Sequence, residues 1–355
     1  MNEVIELRRG LRSALEATGE PGWAELCESL EALLDGADPA DRGAGLPVVS
    51  VRLLKARVYR LEIETRGPWR TAVIKRLEPT RAERNRQLAE RWLPALGLGD
   101  RCARLLAVAA DRRGESVWHI YEDLGDDTLS ARPALERVDA AVDLVAELHT
   151  RAARHPVLPD VRRYGGDLGM PYFVSNVGDA IAALEALAAS GIETPPEHAG
   201  LPDRLRKRLI GLLAEVPWRA RAFEDAAGPD TLLHGDLWTT NIFVSGSAEG
   251  PRARLVDWDH VGVGPFSYDL STFLFRFPAA LRPRILERYR NAVSRAGWRL
   301  ASPPKLDFLF DTAERARYAN RVIWPVLALL QDNAEWGFPE LAEVERWYQA
   351  LEGLP

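Results

Sequence analysis

The chain reads HGDLWTTN at residues 234–241 and LVDWD at residues 255–259. Short apolar segments flank the first motif, with TLL before it and IFV after it. Two carboxylates, Asp236 and Asp257, and one amide, Asn241, therefore lie beside apolar segments that are typical of buried strands. Side chains of this kind supply the hard oxygen atoms that Mg²⁺ prefers. The alternative interpretation is a polar turn, because Gly, Asp and Asn are common turn residues.

The same residue types suit phosphoryl transfer. This chemistry requires an attacking hydroxyl held in line and the charge of the phosphate oxygens neutralised. We predict that Asn241 and Asp257 are the metal ligands. Asp236 is expected to face the acceptor, to orient its hydroxyl and to take its proton. The predicted catalytic group is therefore Asp236, Asn241 and Asp257.

This segment resembles the catalytic loop of the aminoglycoside phosphotransferase and choline kinase-like family, which is related to the protein kinases. The family pattern His-x-Asp-x-x-x-x-Asn, followed by a metal-binding Asp, is met by His234, Asp236, Asn241 and Asp257. The resemblance implies an α+β, protein-kinase-like two-lobed fold. Its N-lobe would hold a small antiparallel β-sheet and one main helix, and its larger C-lobe would be mostly helical. ATP and Mg²⁺ would be the cofactors, and His234 would hold the loop in place.

Composition limits the choice of partner. The chain has 355 residues, 46% of them hydrophobic, and a net charge of −6 with acidic and basic residues mixed along its length. This balance argues against nucleic acid as a partner and suits a cationic small substrate at most weakly. The resemblance implies a small-molecule hydroxyl compound as the substrate. The start MNEVIELRRG lacks a leader pattern and the apolar runs are too short to span a bilayer, so a cytoplasmic protein without a membrane partner is expected. Two separated cysteines give no support for a zinc site, and nothing indicates an oligomeric state.

Three regions are expected along the chain. Residues 1–42 form an N-terminal helical extension, since leucines recur there at helical spacing, and GADPADRGAG at 36–45 predicts a loop. Residues 43–123 form the β-rich, nucleotide-binding N-lobe. Residues 124–355 form the helical C-lobe with the catalytic loop and the substrate site. Within this lobe we predict helices at about 176–189 and 201–226, and a loop for HPVLPDVRRYGGDLGMPY at 155–172.

The N-lobe pattern is carried by VVSVRLL, ARVYRLEIET and RTAVIKRL, which predict three strands, with a turn at RGPW (66–69). Lys75 ends the third strand, and a helix follows Pro79. The resemblance implies that Lys75 binds the α and β phosphates and pairs with a helix glutamate, for which Glu83 is predicted and Glu90 is the alternative. A solvated lysine at a strand edge is the other interpretation of Lys75.

Two further features of this lobe concern the nucleotide. No glycine lies between positions 48 and 65, so the glycine-rich flap of protein kinases is missing, and Lys55 or Arg57 is expected to help cover the nucleotide. SVWHIYEDLGDD at 116–127 resembles the family's hinge between lobes. The resemblance implies that the carbonyl of Tyr121 and the amide of Asp123 bind adenine, while an ordinary loop after a core strand is the alternative.

The C-lobe adds supporting and substrate residues. The resemblance implies that Asp269 braces the catalytic loop, although an Asp is also common at a helix N-terminus. Trp258 and Asp259 are predicted at the rim of the substrate pocket. The helical tail alternates aromatic and acidic residues, which predict either a binding face for an amine or an ordinary core and surface. These tail residues are Phe273, Phe277, Tyr289, Tyr318, Trp324, Trp336, Glu314, Asp332 and Glu335.

The leading hypothesis is an ATP-dependent small-molecule kinase, with an aminoglycoside-type acceptor. A metabolite kinase of the same fold, acting on a fructosamine, an amino alcohol such as choline, or a sugar, is the first alternative, and HGDLW with Trp238 also resembles the fructosamine kinase branch. The second alternative is a pseudokinase that binds nucleotide without turnover. The presence of Lys75, Asp236, Asn241 and Asp257 speaks against it.

Overall fold

The computed structural model describes residues 9–35, 48–63, 71–248 and 250–351. The loop predicted at 36–45 and the turn predicted at 66–69 lie outside these ranges. The chain divides into two compact units. The first contains the described residues up to Pro133 together with Thr240–Asp259, and the second contains Ala134–Thr239 and residues 260–351. The observed division therefore falls later than the expected boundary at 123/124, and it returns 240–259 to the first unit.

Strands and helices are numbered in chain order. The strands are β1 (Arg9–Gly10), β2 (Val48–Lys55), β3 (Val58–Ile63), β4 (Thr71–Leu77), β5 (Leu105–Ala110), β6 (Val117–Glu122), β7 (Thr231–Leu233), β8 (Ile242–Ser247), β9 (Gly250–Leu255) and β10 (Gly262–Gly264). The helices are α1 (Leu11–Glu16), α2 (Trp23–Asp35), α3 (Pro79–Gln87), α4 (Leu93–Ala95), α5 (Leu135–Ala152), α6 (Leu158–Gly165), α7 (Met170–Ala189), α8 (Leu201–Ala214), α9 (Val216–Ala226), α10 (Ser267–Leu274), α11 (Arg282–Arg295), α12 (Pro303–Asp332) and α13 (Gly337–Ala350). The predicted α+β class is confirmed.

An antiparallel sheet of order β1-β2-β3-β4-β6-β5 forms the centre of the first unit. The three strands predicted between residues 47 and 77 are present as β2, β3 and β4. Successive side chains of a strand point to opposite faces, and the burial pattern follows this rule. On one face, Leu61, Ile74 and Trp118 join a closed apolar core. On the other face, Val73, Lys75 and Tyr121 line a pocket.

The N-terminal helices cover the apolar face of the sheet. Leu15 of α1 and Leu26 and Leu30 of α2 are almost completely buried in the same core as Leu61 and Ile120. Burying a leucine side chain stabilises the folded state by about 1.5–3 kcal/mol. The predicted extension at 1–42 is therefore, in its described part, an integral layer of the first unit.

The β8–β9 hairpin joins the first unit through backbone hydrogen bonds. The amide of Leu129 donates to the carbonyl of Ile242 at 2.7 Å, and the amide of Leu255 donates to the carbonyl of Arg101 at 2.8 Å. These bonds connect both strands of the hairpin to the chain that follows the sheet. They explain why 240–259, expected in the C-lobe, belongs to this unit.

The second unit is mainly helical. Its large apolar core is formed by α7, α8, α12 and α13, with fully buried leucines and valines such as Leu205, Val322 and Leu341. A short antiparallel pair, β7 with β10, lies beside α5 and α6. None of the described helices has the length and apolar character needed to cross a membrane.

One prediction for this unit is wrong. The segment 155–172, predicted as loop, contains the helix α6 (Leu158–Gly165). A proline stands in its first turn, where a missing N–H costs nothing, and Leu158 and Val161 are buried one turn apart. Gly165 ends the helix against the carbonyl of Val261, where an added Cβ would lie at only 2.3 Å. The flanking Gly-Gly and Pro residues hid this short amphipathic pattern.

Candidate active site

The pocket of the first unit is a cavity of about 340 Å³ beneath the sheet. Its walls are apolar over most of their area, with Leu54, Val73 and Leu255 among the lining residues. Charged and amide side chains also line it: Lys55, Lys75, Asn85, Asn241 and Asp257. An apolar cleft with a few convergent polar groups is the usual form of a small-molecule site.

Lys75 is held by two carboxylates at this pocket. Its Nζ donates to Oδ1 of Asp257 at 2.5 Å and to Oδ1 of Asp259 at 2.6 Å. The side chain is only 12% exposed, so this is a largely buried ion pair and not a solvated strand edge. Lys55 donates to the other oxygen, Oδ2, of Asp257. The structure therefore brings Lys55 and Lys75 together on the carboxylate that the sequence predicts as a metal ligand.

Asp257 is ionised by its surroundings. Burial alone would raise the pKa of this carboxyl, but the charges of Lys75 and Lys55 outweigh it and hold the pKa well below its usual range. Asp257 also has a left-handed backbone, with φ of 66°, two residues after the end of β9. Non-glycine residues with such a backbone are uncommon and cluster at functional sites.

The predicted partner of Lys75 is not the observed one. Glu83 accepts hydrogen bonds from Arg86 and from Gln87, whose Nε2 lies at 2.6 Å. These bonds lower the pKa of Glu83, with Gln87 as the largest cause. Glu90, the alternative, lies 3.7 Å from Arg86. In the described part of the chain neither glutamate contacts Lys75, and Asp259 takes that role.

Helix geometry explains the correction. Two residues along an α-helix correspond to a rotation of about 200°, so Glu83 and Asn85 point to opposite sides of α3. Asn85 is buried, faces the pocket, and donates to Oδ1 of Asp259 at 3.1 Å. Arg84 donates to the carbonyl of Asp259 at 2.8 Å. Helix α3 is thus connected to Lys75 through the Asn85 side-chain amide and Asp259.

The donor set at this pocket fits Mg²⁺. Asn241 and Asp257 supply oxygen atoms, and the amide of Val256 donates to the carbonyl of Asn241 at 3.0 Å, which fixes Asn241 beside the turn that carries Asp257. No cluster of three or more His, Cys, Asp or Glu suited to a metal exists among the described residues. Mg²⁺ typically takes only one or two protein groups and completes its shell with water and phosphate oxygens.

The predicted hinge residues also line the first pocket. Tyr121 ends the pocket face of β6, and Asp123 is in the turn that follows. The Asp123 carboxylate forms an ion pair with Arg60 at 2.9 Å and accepts the amide of Gly125 at 2.9 Å, which orients the turn. The Tyr121 hydroxyl lies 2.8 Å from Nδ1 of His119. Burial, followed by the charge of Lys75, lowers the pKa of His119 to about 4.

In the second unit, a buried carboxylate accepts hydrogen bonds from the backbone of the HGD loop. Asp269, on α10, accepts the amide of His234 at 2.6 Å and the amide of Gly235 at 2.9 Å. Nε2 of His149 lies 3.5 Å from the same carboxylate, and its Nδ1 lies 2.8 Å from the hydroxyl of Tyr289. Asp269 therefore contacts the loop that precedes Asp236 from behind, as a brace would.

Gly235 allows the close approach of this loop to its neighbour. Its φ is 82°, and a Cβ built there would lie 1.9 Å from the carbonyl oxygen of His260. Any side chain would force the two segments apart. The ring of His234 accepts the amide of Asp236 at 3.3 Å, and the carbonyl of Asp236 accepts the amide of Trp238 at 2.8 Å. These local bonds fix the backbone on both sides of Asp236.

A second pocket, of about 300 Å³, lies at Asp236 within the second unit. Trp238, Trp324 and Trp336 line it, and so do two arginines, Arg317 and Arg321. The tail aromatics divide between the two interpretations. Phe273, Phe277 and Tyr289 are buried core residues, whereas Trp324 and Trp336 line the pocket with exposures of 62% and 54%.

The substrate role predicted for Trp258 and Asp259 stays a prediction, and the structure places both side chains in the first unit. Trp258 is 4% exposed, donates from Nε1 to the carbonyl of Leu255 at 3.3 Å, and lines the first pocket. Asp259 is committed to Lys75 and Asn85 in the same unit. Position next to Asp257 suggested a pocket rim, but ion pairing and burial determine what these side chains contact.

Comparison with known proteins assigns the family. The model of the family described as "Phosphotransferase enzyme family" matches residues 53–309, which include every motif residue from Lys75 to Asp269. The chain belongs to this phosphotransferase family. The resemblance stated from HGDLWTTN is thereby confirmed. No curated protein matches the chain.

Solved structures share the protein-kinase-like fold of this family member. An aminoglycoside 2′-phosphotransferase in complex with GDP aligns with a TM-score of 0.60 at 15% identity, over 89% of this chain and 95% of its own. The ethanolamine kinase of Plasmodium vivax aligns with 0.57 at 12% identity, over 90% and 86%. A spectinomycin phosphotransferase in complex with ADP and spectinomycin aligns with 0.55 at 11% identity, over 86% and 93%. The predicted fold is confirmed by these alignments.

Proposed function

We propose that this family member transfers the γ-phosphoryl group of magnesium ATP to a hydroxyl of a small molecule. The observation that carries the proposal is the first pocket, in which an apolar cleft is combined with Lys75, Asn241 and an ionised Asp257. Phosphoryl transfer depends on positioning and charge neutralisation, and this residue set provides both.

The apolar part of the pocket is the proposed adenine site. Leu54, Val73 and Leu255 would enclose the ring, while the carbonyl of Tyr121 and the amide of Asp123 would bind its polar edge. Lys75 would bind the α and β phosphates. Asp259, which accepts a hydrogen bond from Asn85, would hold the Lys75 ammonium in place, as it does in the structure.

Asn241 and Asp257 are the proposed Mg²⁺ ligands. The ion would neutralise phosphate charge as it develops. Asp257 is ready for this role because its pKa is held low, so the carboxylate is ionised at neutral pH. Its oxygens bond Lys55 and Lys75 in the structure. We expect the nucleotide phosphates to draw these ammonium groups away from Asp257, since phosphates compete for the same cations.

Asp236 is the proposed acceptor-facing carboxylate. It lines the second pocket, and the bonds of its loop to Asp269 fix its backbone. In this role Asp236 orients the hydroxyl and accepts its proton as the new P–O bond forms. His234, whose ring nitrogen bonds the amide of Asp236, positions the loop and takes no proton.

The acceptor class follows from the relatives only as a proposal. The solved relatives include phosphotransferases for aminoglycosides and an ethanolamine kinase, and the aminoglycoside class was the first expectation from sequence. The arginines of the second pocket favour the other branch, a metabolite kinase with a non-aminoglycoside acceptor. A pseudokinase is disfavoured because Lys75, Asn241 and Asp257 are grouped at one pocket.

The proposal is tested with the purified protein in two assays. Calorimetry with ATP, with and without Mg²⁺, measures nucleotide binding, and ADP release measures turnover with a panel of aminoglycosides, choline, ethanolamine, fructosamines, sugars and hydroxy acids. We expect ATP binding that depends on Mg²⁺ and on Lys75, and acceptor-dependent ADP release. Binding without release for any acceptor would favour the pseudokinase. Absence of nucleotide binding would refute the assignment of the first pocket.

A further inference from the structure

The charged residues of the second pocket restrict the class of acceptor, which the sequence motif leaves open. It is built within one unit, and the carboxylate proposed to face the acceptor, Asp236, lines it. A pocket for an aminoglycoside needs several uncompensated carboxylates, because these compounds carry several ammonium groups. The charges that surround Asp236 therefore determine whether the pocket suits a polycation.

Two carboxylates near this pocket are paired with arginines. Glu314 is completely buried and accepts hydrogen bonds from Arg317 and from Ser271 Oγ at 2.8 Å. Glu340 lies 3.6 Å from Arg321. The charge of Asp236 acts on Arg317. Glu314 and Glu340 are thus each paired with an arginine, while Oε2 of Glu314 is buried without a hydrogen-bond partner among the described residues.

Arg317 is fixed as a permanent cation in the wall. Its Nη2 donates to the carbonyl of Tyr268 at 3.0 Å, and its guanidinium stands 4.3 Å from the centroid of the Tyr268 ring. Burial alone would lower its pKa, but Glu314 and other neighbours raise it above the usual range. The side chain keeps 12% of its surface exposed.

A further guanidinium, that of Arg276, forms no ion pair among the described residues, and the charge of Glu314 acts on it. Arg276 stacks over the ring of Trp238, 4.0 Å from its centroid, and its buried Nε has no hydrogen-bond partner in that part of the chain. Arg321 stands 5.8 Å from the same ring. Trp238, which lines the pocket, therefore carries a guanidinium in contact and a second one nearby. Stacked guanidinium groups keep their N–H edges available for carboxylate or phosphate.

We propose that the acceptor is a small hydroxyl compound that also carries a carboxylate or phosphate group, which Arg276 and Arg321 bind beside Trp238. This inference rests on the proposed function for the identity of Asp236 as the acceptor-facing residue. A polycation would bring its ammonium groups against Arg317 and Arg321, which are already paired with Glu314 and Glu340. An anion beside Trp238 would meet Arg321, which lines the pocket and lies 3.6 Å from Glu340. Arg276 is stacked on the same Trp238 ring without itself lining the pocket. The exposed faces of Trp324 and Trp336 offer an apolar surface for the carbon skeleton.

The test uses matched probes that differ in charge. Glucose, glucosamine, glucuronate and glucose 6-phosphate share one ring, and kanamycin is the polycation. Binding is measured by calorimetry, and transfer from magnesium ATP is measured by mass spectrometry of the products. We expect glucuronate or glucose 6-phosphate to bind at least tenfold more tightly than glucose, and glucosamine and kanamycin to bind no better than glucose.

Variants connect the result to the arginines. Arg321→Gln and Arg276→Gln are expected to weaken binding of the anionic probe tenfold or more and to leave glucose within twofold, while Arg276→Lys recovers part of the loss. Arg206→Gln, which removes a surface arginine 3.5 Å from Glu185, is the matched control and should change nothing. Anionic probes that bind no better than glucose, or equally well in the two Gln variants, overturn the inference.

The two proposals fail in different ways. Transfer to kanamycin, glucosamine or glucose in preference to the anionic probes would overturn the anionic acceptor and support the kinase. Binding of the anionic probes that depends on Arg276 and Arg321, with no transfer to any probe and no ATP binding, would support the anion site and refute the kinase.

Discussion

Replacement of Asp269 tests whether one buried carboxylate holds the catalytic loop. Asp269 is fully buried and accepts the amides of His234 and Gly235 at 2.6 and 2.9 Å. Asp269→Ala leaves both amides without their acceptor. Asp269→Asn keeps one acceptor oxygen but turns an NH₂ group toward a donor.

The expected loss of unfolding free energy follows from the two lost hydrogen bonds. Each buried, unsatisfied amide costs about 1–3 kcal/mol, so the alanine variant loses about 2–6 kcal/mol before compensation. Removal of the carboxylate also removes the cost of burying its charge, which places the expected net loss at about 2–4 kcal/mol. For a unit of about 200 residues this lowers the melting temperature by about 4–16 °C. The asparagine variant is expected to lose about 1–3 kcal/mol.

The stability that the Asp269 carboxylate contributes should decrease as the pH falls. Burial would raise the pKa of Asp269, but His149, His234 and the Gly235 amide lower it below its ordinary value. Stability from this carboxylate is therefore present above the ordinary pKa of an aspartate and is lost as the pH falls through the lower, folded-state value. The difference between the protein and Asp269→Asn should shrink in acid.

Urea unfolding followed by circular dichroism measures the loss, and hydrogen exchange of the peptide 231–238 locates it. Asp179→Ala on α7, an exposed carboxylate that accepts only a weak bond from Ser175 at 3.2 Å, is the control and should stay within about 0.5 kcal/mol. If Asp269→Ala unfolds like this control and the loop amides exchange no faster, the reasoning is refuted.

Three further predictions concern other positions. Lys75→Met should weaken ATP binding tenfold or more in calorimetry, because its buried ammonium is the proposed phosphate ligand; unchanged binding would contradict this role. The parent protein should lose about 3 kcal/mol of unfolding free energy between pH 6.5 and 4 in urea titrations, since His119 is buried neutral with a pKa of about 4. His119→Gln should not show this loss, and parallel pH profiles for the two proteins would exclude this role of His119. Gly235→Ala should lower both stability and turnover, because its Cβ would lie 1.9 Å from a carbonyl oxygen. Gly178→Ala in α7 is the control and should be neutral or stabilising by up to about 1 kcal/mol, because no atom lies within 4 Å of its Cβ. Equal behaviour of the two alanine variants in thermal melts would count against the close approach.

The sequence predicted much of the first unit because local patterns determine it. Strands β2 to β6 carry β-branched or apolar residues at alternate positions, and Pro79 opens α3 at the first turn. The pattern failed for α6, where only Leu158 and Val161 mark the buried side of a short helix. The unit boundary also escaped prediction, since hydrogen bonds such as Leu129 to Ile242 join segments far apart in the chain.

Site residues that belong to the sequence motif could be predicted. Site residues that only tertiary contacts bring to a pocket could not. Asn241 and Asp257, which the motif singled out, both line the first pocket, and their role as metal ligands stays a prediction. The partner of Lys75 could not be read from the helix, because helical phase and not the presence of a glutamate decides which residue faces the pocket. Asn85 gave no signal of its own in the sequence. The arginines of the second pocket were likewise hidden among many surface arginines.

The pairing of Lys75 with Asp259 gives this site a different support from the expected helix glutamate. Asp259 lies two residues beyond Asp257 and contacts both Lys75 and Asn85. The turn proposed to bind the metal and the lysine proposed to bind phosphate are therefore connected through Asp259 within one unit. We infer that Asp259 positions Lys75, and that its loss would affect nucleotide affinity before it affected the transfer step.

The central claim is that Asp236 handles the acceptor hydroxyl while the first pocket holds the nucleotide. It is tested most directly by measuring phosphorylated product by mass spectrometry, side by side with ATP affinity, for the protein and for Asp236→Asn. The account predicts that product formation falls about 10²–10⁴-fold while the Kd for magnesium ATP stays within twofold. Product formation by Asp236→Asn at the parent rate, or a loss of ATP affinity that matches the loss of product, would contradict it.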